Sequence, residues 1–178
     1  MKKVLIISTS LRINSNSETL AKKFLEGAKE AGHDIEFISL KNKNIAFCKG
    51  CMACAKLKKC VINDDAIEIV NKMSEADIIV WATPIYYYSI SGSMKTMIDR
   101  ANSLYVRNPK FKEVYLLAVA AEDESYTPEG AIKAVQGWVD CFEGVEFKDT
   151  LFIGGLNDPN DILKDNRLNK AYELGKII

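Results

Sequence analysis

Short apolar runs alternate along the chain with longer stretches in which apolar positions recur at helical spacing. This alternation is typical of β-α-β units built around a parallel sheet. The first run, residues 3–8, is apolar on both faces, as expected for a central parallel strand covered by helices on each side. Further strands are predicted at residues 35–40, 77–82, 114–121 and 147–153.

Helical spacing fills the intervals between these strands. Leu20, Ala21 and Phe24 begin one apolar stripe, which ends before Gly32 at the position of a left-handed cap. Similar stripes predict helices over residues 66–73, 94–104 and 131–142, and a closing helix after Asn160. A chain of 178 residues has room for one domain of this type, so we expect a single domain over residues 1–178.

Composition narrows the choice of partners. The 24 basic and 24 acidic residues balance, so bulk charge does not favour nucleic acid or an anionic membrane. The longest apolar stretches fall short of the roughly 18 residues that a membrane span needs. The apolar run after Lys2 and Lys3 is also too short for a signal peptide, so we expect a cytoplasmic protein without a membrane partner.

The loop after the first strand is rich in hydroxyl and amide side chains and contains one cation. Such a loop, opening onto a helix, suits an anion such as phosphate. The alternative is a capping box formed by Ser15 and Glu18. Neither a dinucleotide-binding glycine motif nor a P-loop occurs. The candidate phosphate ligands are Ser10, Arg12, Ser15, Asn16 and Ser17.

The loop after the third strand contains three consecutive tyrosines and continues into a helix. Tyrosine rings of this kind pack against an aromatic ligand with polar edges, or alternatively anchor the loop itself. On the following helix, we expect Asp99 and Arg100 to form a structural ion pair. The candidate residues of this loop are Pro84, Ile85, Tyr86, Tyr87, Tyr88, Ser91 and Gly92.

Four of the five cysteines lie within one short segment, residues 48–60. Cys48, Cys51, Cys54 and Cys60 have spacings that allow one loop to surround a [4Fe–4S] cluster. Free thiols, a labile disulfide and a zinc site remain alternatives. The fifth cysteine, Cys141, falls on an apolar helical stripe and is expected to be buried.

Charge around the cysteine segment is strongly positive. Residues 41–60 contain six lysines and no acidic residue. Such a patch would offset the negative charge of a thiolate-bound cluster, dock an acidic electron-transfer protein, or attract the phosphates of a pyridine nucleotide. It is otherwise a solvated loop. Asp64 and Asp65 follow directly and are expected in the first turn of a helix, where they stabilise its dipole.

These residues together resemble the flavodoxin-fold NAD(P)H-dependent FMN reductases. Members of that family carry a phosphate loop like Ser10-x-Arg12-x-x-Ser15-Asn16-Ser17. They also carry a segment like Thr83-Pro84-Ile85-Tyr86-Tyr87, followed by Ser91-Gly92-x-x-Lys95 and Asp99-Arg100. The resemblance implies a flavodoxin-like three-layer α/β sandwich, with a five-stranded parallel sheet in the order 2-1-3-4-5 and helices on both faces. It further implies bound FMN and NAD(P)H as co-substrate.

The resemblance also implies roles for individual residues. Ser10, Arg12, Asn16 and Ser17 would hold the FMN phosphate, with Ser15 in the same loop. Pro84, Ile85, Tyr86 and Tyr87 would line the ribityl chain and the isoalloxazine, beside Tyr88, Ser91 and Gly92. The loop over residues 121–126, with Glu122 and Ser125, would close the site.

The cysteine spacing resembles the iron–sulfur flavoproteins, a branch of the same family. In that branch the four cysteines hold a cubane cluster close to the FMN of a neighbouring subunit, so a homodimer or homotetramer is implied. Related reductases without a cluster retain similar cysteine-rich segments, so the spacing alone leaves both outcomes open.

The predicted function is that of an FMN-dependent oxidoreductase. Electrons would pass from NAD(P)H or a reduced ferredoxin-like protein to a quinone, a flavin or an iron–sulfur cluster. The alternatives are a non-enzymatic flavodoxin-like electron carrier and a cluster-free NAD(P)H:FMN or quinone reductase. His33 is the sole histidine, so a histidine-based hydrolase is not indicated.

Overall fold

A computed structural model describes residues 1–178 and contains one central sheet with helices on both faces. The strands are β1 Lys3–Ser8, β2 Asp34–Ser39, β3 Ile78–Tyr86, β4 Ser89–Ile90, β5 Glu113–Val119 and β6 Glu146–Ile153. The α-helices are α1 Asn16–Glu30, α2 Ala53–Leu57, α3 Ala66–Glu75, α4 Gly92–Arg100, α5 Glu129–Val139 and α6 Asn169–Ile177. Short 3₁₀ helices cover Ala101–Val106, Asp161–Lys164 and Asn166–Leu168.

Five parallel strands form the sheet in the order β2-β1-β3-β5-β6. The flavodoxin-like order predicted from the sequence is therefore confirmed. β4, which was not predicted, pairs antiparallel with the end of β3. It turns the chain back at the carboxyl edge of the sheet, where ligands of open α/β sheets bind.

The sheet separates two apolar cores. α1 and α6 cover one face, where Leu20, Phe24 and Ala171 are fully buried. α3, α4 and α5 cover the other and larger core, to which Met73, Met94 and other buried side chains contribute. The parallel strands are consequently apolar on both sides, which is the reason that their sequences read as continuous hydrophobic runs.

Helices α1 and α6 cross at unusually close range, and glycine permits this contact. A Cβ on Gly27 would lie 2.0 Å from the carbonyl oxygen of Tyr172, and one on Gly175 would lie 2.1 Å from that of Phe24. Any larger residue at either position would push the two helices apart. The crossing fixes α6 against the second half of α1.

The structure corrects several boundaries. β3 continues to Tyr86, four residues beyond the predicted end, and the predicted helix over 94–104 changes to a 3₁₀ helix after Arg100. α2, within the cysteine segment, was not predicted.

Cys141 is exposed just after α5, where its thiol faces the carbonyl of Gly137, so the expectation that it is buried was wrong. None of the helices combines the length and apolar character that crossing a lipid bilayer requires.

Candidate functional site

A cavity of about 180 Å³ lies at the carboxyl ends of β1, β3 and β5. Loops that are distant in sequence meet there because parallel strands end at the same edge of the sheet. The lining residues are Ser10, Arg12, Ser15, Asn16, Ser17, Pro84, Ile85, Tyr86, Val119, Ala120, Ala121, Leu156 and Asn157. Eight of these were predicted from the sequence.

The start of α1 forms one wall of this cavity. Ser15 caps the helix, and its hydroxyl accepts a hydrogen bond from the amide of Glu18 at 3.2 Å. The first amides of the helix have no partner within it and carry partial positive charge. The hydroxyl of Ser17 is fully buried and has no hydrogen-bond partner in the protein. An orphan hydroxyl beside free helix amides is a strong feature for an anion site.

Arg12 and Asn16 also contact the segment that follows β6. The Arg12 guanidinium donates to the carbonyl of Asn157 at 2.8 Å and lies 4.0 Å from the carboxylate of Asp158. The side-chain amide of Asn16 donates to the carbonyl of Asp158 and accepts from the amide of Ile162. Asn16 therefore ties two loops together through its side chain, which leaves its backbone amide for the cavity.

The hairpin between β3 and β4 carries the three tyrosines. Tyr86 lines the cavity, whereas Tyr87 is fully exposed. Tyr87 and Tyr88 both have positive φ values, 49° and 61°. Positive φ at both central residues is the conformation of a type I′ hairpin turn, which Asn and Gly normally adopt. Two tyrosines in this conformation indicate local strain, which is characteristic of functional loops.

The hairpin contacts the loop after β5. The hydroxyl of Tyr88 donates to Glu122 at 3.3 Å, and its ring lies 6.1 Å from that of Tyr126. Glu122 also accepts a 2.6 Å hydrogen bond from Thr127, so its carboxylate is engaged within the protein. Tyr88 and Glu122, like the exposed Ser125, stand outside the cavity lining.

Ser91 and Gly92 also stand outside the cavity lining. Ser91 is buried at the N-terminus of α4, where its hydroxyl accepts from the amide of Met94 and contacts the hydroxyls of Thr9 and Thr83. Gly92 is the first residue of that helix. These two residues fix α4 to the ends of β1 and β3.

Beyond the eight candidate residues, Ala121 begins the loop that was predicted to close the site. The four lining residues that were not predicted are Val119, Ala120, Leu156 and Asn157. In the sequence, the feature that could have indicated Leu156 and Asn157 is the pair Gly154-Gly155 directly after β6. A Cβ on Gly154 would lie 2.2 Å from the carbonyl oxygen of Glu122, so the loops after β5 and β6 touch there. Arg167 reinforces this contact through bonds to Asp123, Asp165 and Gly154. The hydrogen bonds that Arg167 donates, first to Asp165 and then to Asp123, raise the pKa of Arg167 above its ordinary value.

The cysteine segment forms a second candidate site, on the side of the molecule where α4 ends. Cys48, Cys51, Cys54 and Cys60 are free thiols that line one recess of about 30 Å³. The recess is too small for more than about one water molecule. In this conformation no three of the chain's potential metal ligands are close enough to hold a metal ion together. Arg100 and Asn102 complete the wall of the recess.

A buried ion pair holds the base of this segment. Arg100 donates to both carboxylate oxygens of Asp64 at 2.5 and 2.8 Å, and neither side chain is more than 3% exposed. Burial opposes ionisation of Asp64. The bonds from Arg100 and from the Ala46 and Ala66 amides nevertheless lower its pKa below the ordinary value. Asp64 is therefore the partner of Arg100, and not simply a dipole-stabilising residue of the helix.

The expected pair between Asp99 and Arg100 was wrong. Asp99 instead accepts from Lys95 at 2.6 Å on the exposed face of α4. Adjacent residues on a helix point in different directions, so they cannot pair as residues three or four apart do. Asp65, by contrast, lies at the N-cap of α3 and accepts from the amide of Asn44.

Comparisons with known proteins agree with this architecture. The sequence model of a family described as NADPH-dependent FMN reductase matches residues 2–148. The chain is 39% identical over 104 residues to an iron-sulfur flavoprotein of Methanocaldococcus jannaschii, covering 58% of this chain and 54% of that protein. It is 31% identical over 155 residues to an iron-sulfur flavoprotein of Methanosarcina thermophila, covering 86% and 81%. The match thus spans about half of the first relative and four fifths of the second.

Solved structures with the same fold belong to proteins of low sequence identity. An NAD(P)H:quinone oxidoreductase from Methanothermobacter marburgensis superposes with a TM-score of 0.77 at 20% identity, covering 98% of this chain and 94% of that one. An azoreductase from Bacillus anthracis superposes with a TM-score of 0.75 at 21% identity over the full length of both chains. At this identity the likeness establishes the fold.

Proposed function

Because the chain belongs to the NADPH-dependent FMN reductase family, we propose that it is an FMN-dependent oxidoreductase. Electrons pass from NAD(P)H or a reduced protein donor to an acceptor such as a quinone or a flavin. The observation that carries this proposal is the wall of the cavity at the start of α1. There the unpaired helix amides and the orphan hydroxyl of Ser17 meet at the edge of the sheet where ligands bind.

The residues around this cavity fit FMN at both of its ends. Ser10, Ser17 and the first amides of α1 provide donors for a phosphate, and Arg12 adds the only cation of the loop. Pro84, Ile85 and Tyr86 provide an apolar and aromatic wall for the ribityl chain and the ring. Tyr87 and Tyr88 border the site from the strained hairpin, and Glu122 holds that hairpin through Tyr88.

FMN, when bound, supplies the transfer of hydride and of single electrons. The protein's own part is to hold the cofactor, fix its orientation and leave one side open to partners. Fixed amides and hydroxyls at the phosphate end achieve this without reorganisation on binding, because the sheet and α1 position them in advance. The sole histidine is used elsewhere, since His33 accepts from the amide of Lys2 and contacts the carbonyl of Ile178.

Titration of the cofactor-free protein with FMN, followed by steady-state oxidation of NADH and NADPH with a quinone as acceptor, tests this function. We expect one FMN per chain and turnover with at least one of the two nucleotides. Absence of FMN binding would overturn the proposal. Binding without nucleotide oxidation, together with rapid reduction by reduced ferredoxin, would replace it with a flavodoxin-like electron carrier.

All four cysteines of the segment line one recess, and this favours a second bound group besides FMN. We propose that Cys48, Cys51, Cys54 and Cys60 hold a [4Fe–4S] cluster, as the names of the relatives imply for those proteins. Four soft thiolate donors on one loop are the donor set that such a cluster requires. Lys49, Lys56, Lys58 and Lys59 make no ion pair within the chain, so their charge remains to offset that of the site.

The ultraviolet–visible spectrum of anaerobically purified protein, with iron and acid-labile sulfide assayed on the same sample, tests the cluster. About four irons per chain together with flavin bands are expected. Flavin bands without iron, after attempted reconstitution, would leave a cluster-free FMN reductase.

The proposal also includes one FMN-binding domain over residues 1–178 and a homodimer or homotetramer in the cytoplasm. Light scattering of the eluted protein reports the assembly.

A further inference from the structure

The guanidinium of Arg100 has five N–H donors, and four of them are used on oxygen. Nη1 donates to the carbonyl of Ala46 and to Asp64, and Nη2 donates to the carbonyl of Ile62 and to Asp64. The fifth donor, Nε, is completely buried and has no hydrogen-bond partner of any kind within the chain. An unused buried N–H carries a desolvation cost and requires an acceptor.

Cys60 shares the surroundings of this unused donor, because it lines, together with Arg100, a small recess against α3. Both residues also line the cysteine recess. Oxygen acceptors already occupy the other four donors, so Nε is the one N–H of Arg100 that is free for a sulfur of the recess, and Cys60 lies on the same wall.

A second donor comes from the same stretch of chain. The side-chain amide of Asn102 donates to the sulfur of Cys54 at 3.3 Å. Asn102 lies two residues after Arg100, in the 3₁₀ helix that continues α4. By comparison, Cys48 accepts only from the amide of Gly50, within its own loop, at 3.5 Å.

We propose that Arg100 and Asn102 are positioning residues of the cysteine site, which donate hydrogen bonds to the sulfurs of Cys60 and Cys54 and so prepare two of the four ligands. This inference rests on the proposed cluster. Cys54 and Cys60 are held against the fold, whereas Cys48 and Cys51 are exposed and join them when the group binds. N–H donors to cluster sulfurs also stabilise the more negative, reduced state, so both residues raise the reduction potential.

The experiment compares Asn102→Ala and Arg100→Lys with the wild-type chain and with Thr96→Ala. Thr96 is half-buried on α4 and lies outside the lining of the cysteine recess, and its hydroxyl bonds only the carbonyl of Gly92, so its variant is the matched control. Arg100→Lys keeps a charge opposite Asp64 but removes Nε. Circular dichroism and FMN affinity verify that each variant folds. Asn102→Ala keeps the test decisive if Arg100→Lys does not fold.

Two readouts besides turnover are measured. The first is the affinity of FMN-loaded, cluster-free protein for Cd²⁺ alone, followed by thiolate charge-transfer absorption. The second is the midpoint potential of the reconstituted cluster. We expect Asn102→Ala to weaken Cd²⁺ binding by about 2- to 12-fold, the equivalent of one hydrogen bond, and to lower the potential. Arg100→Lys acts in the same direction, and Thr96→Ala changes neither quantity.

The positioning roles, the cluster and the FMN function would each be contradicted by a different result. A cluster that assembles in both variants with unchanged Cd²⁺ affinity and potential would overturn the positioning roles and leave the proposed function standing. A wild-type chain that binds FMN but neither Cd²⁺ nor iron would overturn both the cluster and the positioning roles, while the FMN function remains. A loss of FMN affinity in Asn102→Ala equal to its loss of Cd²⁺ affinity would show a general structural effect, and this also overturns the proposal.

Discussion

The cavity at the carboxyl edge of the sheet and the cysteine segment are built in opposite ways. The cavity is formed by the ends of three parallel strands and the start of a 15-residue helix, and Ser10, Ser15 and Ser17 beside it are buried. The cysteine segment contains one helix of five residues, α2, in which no residue is buried. Met52 and Lys58 flank that helix in left-handed conformations.

The difference lies in what fixes each set of ligands. The sheet positions the cavity before any cofactor arrives. In the cysteine segment, Arg100 fixes the two ends, because it binds Ala46 before Cys48 and binds Ile62 and Asp64 after Cys60. Between the ends, Asn102 donates one hydrogen bond, to Cys54. One region is therefore positioned by the sheet, whereas the other is a loop held at its two ends and at few points between them.

The substitution with the largest expected effect removes the carboxylate of Asp64, at the base of the cysteine segment. Asp64→Ala leaves the buried Arg100 without its counter-charge, at an expected cost of about 3–5 kcal/mol in the free energy of unfolding. Urea denaturation measures this loss. Trypsin should also cleave faster after the six lysines of residues 41–59, while FMN still binds to the folded fraction.

Two controls accompany this prediction. The double variant Asp64→Leu with Arg100→Met removes both charges and should recover a large part of the lost stability. Asp99→Ala breaks the exposed pair with Lys95 on α4 and should cost less than about 1 kcal/mol. A cost for Asp64→Ala as small as that for Asp99→Ala would contradict the importance of the buried pair.

Arg12→Ala tests the other half of the comparison. The change removes the only cation of the phosphate loop, so FMN should bind more weakly by about 1.5–3 kcal/mol, or about 10- to 150-fold in Kd. Quenching of FMN fluorescence measures the affinity. Trypsin cleavage within the cysteine segment should stay at the wild-type rate. Lys22→Ala, an exposed cation on α1, is the control, and an equal effect of the two changes would argue against a phosphate contact by Arg12.

Ser17→Ala and Ser8→Ala separate a ligand contact from ordinary packing. Both hydroxyls are buried without a partner, but only Ser17 lines the cavity. We expect Ser17→Ala to weaken FMN binding by about 0.5–1.5 kcal/mol and Ser8→Ala to leave it unchanged. Neither change should lower the stability of the cofactor-free protein, because each removes an unsatisfied polar group. Equal FMN affinities in the two variants would remove Ser17 from the site.

Lowering the pH has the smallest expected effect on the free energy of unfolding. The pKa of Asp64 is lower in the folded protein than in the unfolded chain, so its contribution to stability is complete above the unfolded value and is lost as pH falls through the folded one. Near pH 3.9 the expected loss from this one group is no more than about 0.4 kcal/mol. Urea titrations at pH 6 and near pH 4 measure the slope, which should be shallower in Asp64→Asn.

Patterns along the chain predicted the sheet and the loops that build the cavity. Continuous apolar runs such as β1 identified the buried strands, and the hydroxyl-rich loop identified the start of α1. The pairing of Arg100 with Asp64 could not be predicted, because 36 residues separate them and the adjacent Asp99 was the nearer candidate. Leu156 and Asn157 reach the cavity only through the contact between two loops, for which the sequence offers little more than a glycine pair.

Helix α4 is one rigid element between the carboxyl edge of the sheet and the cysteine segment. One end is capped by Ser91, which is bonded to the ends of β1 and β3, and the other end carries Arg100. Nine residues at about 1.5 Å each give a length of about 13 Å. A rigid helix moves as one body, so a displacement of Arg100 at the cysteine segment would also displace Ser91 and its bonds to Thr9 and Thr83.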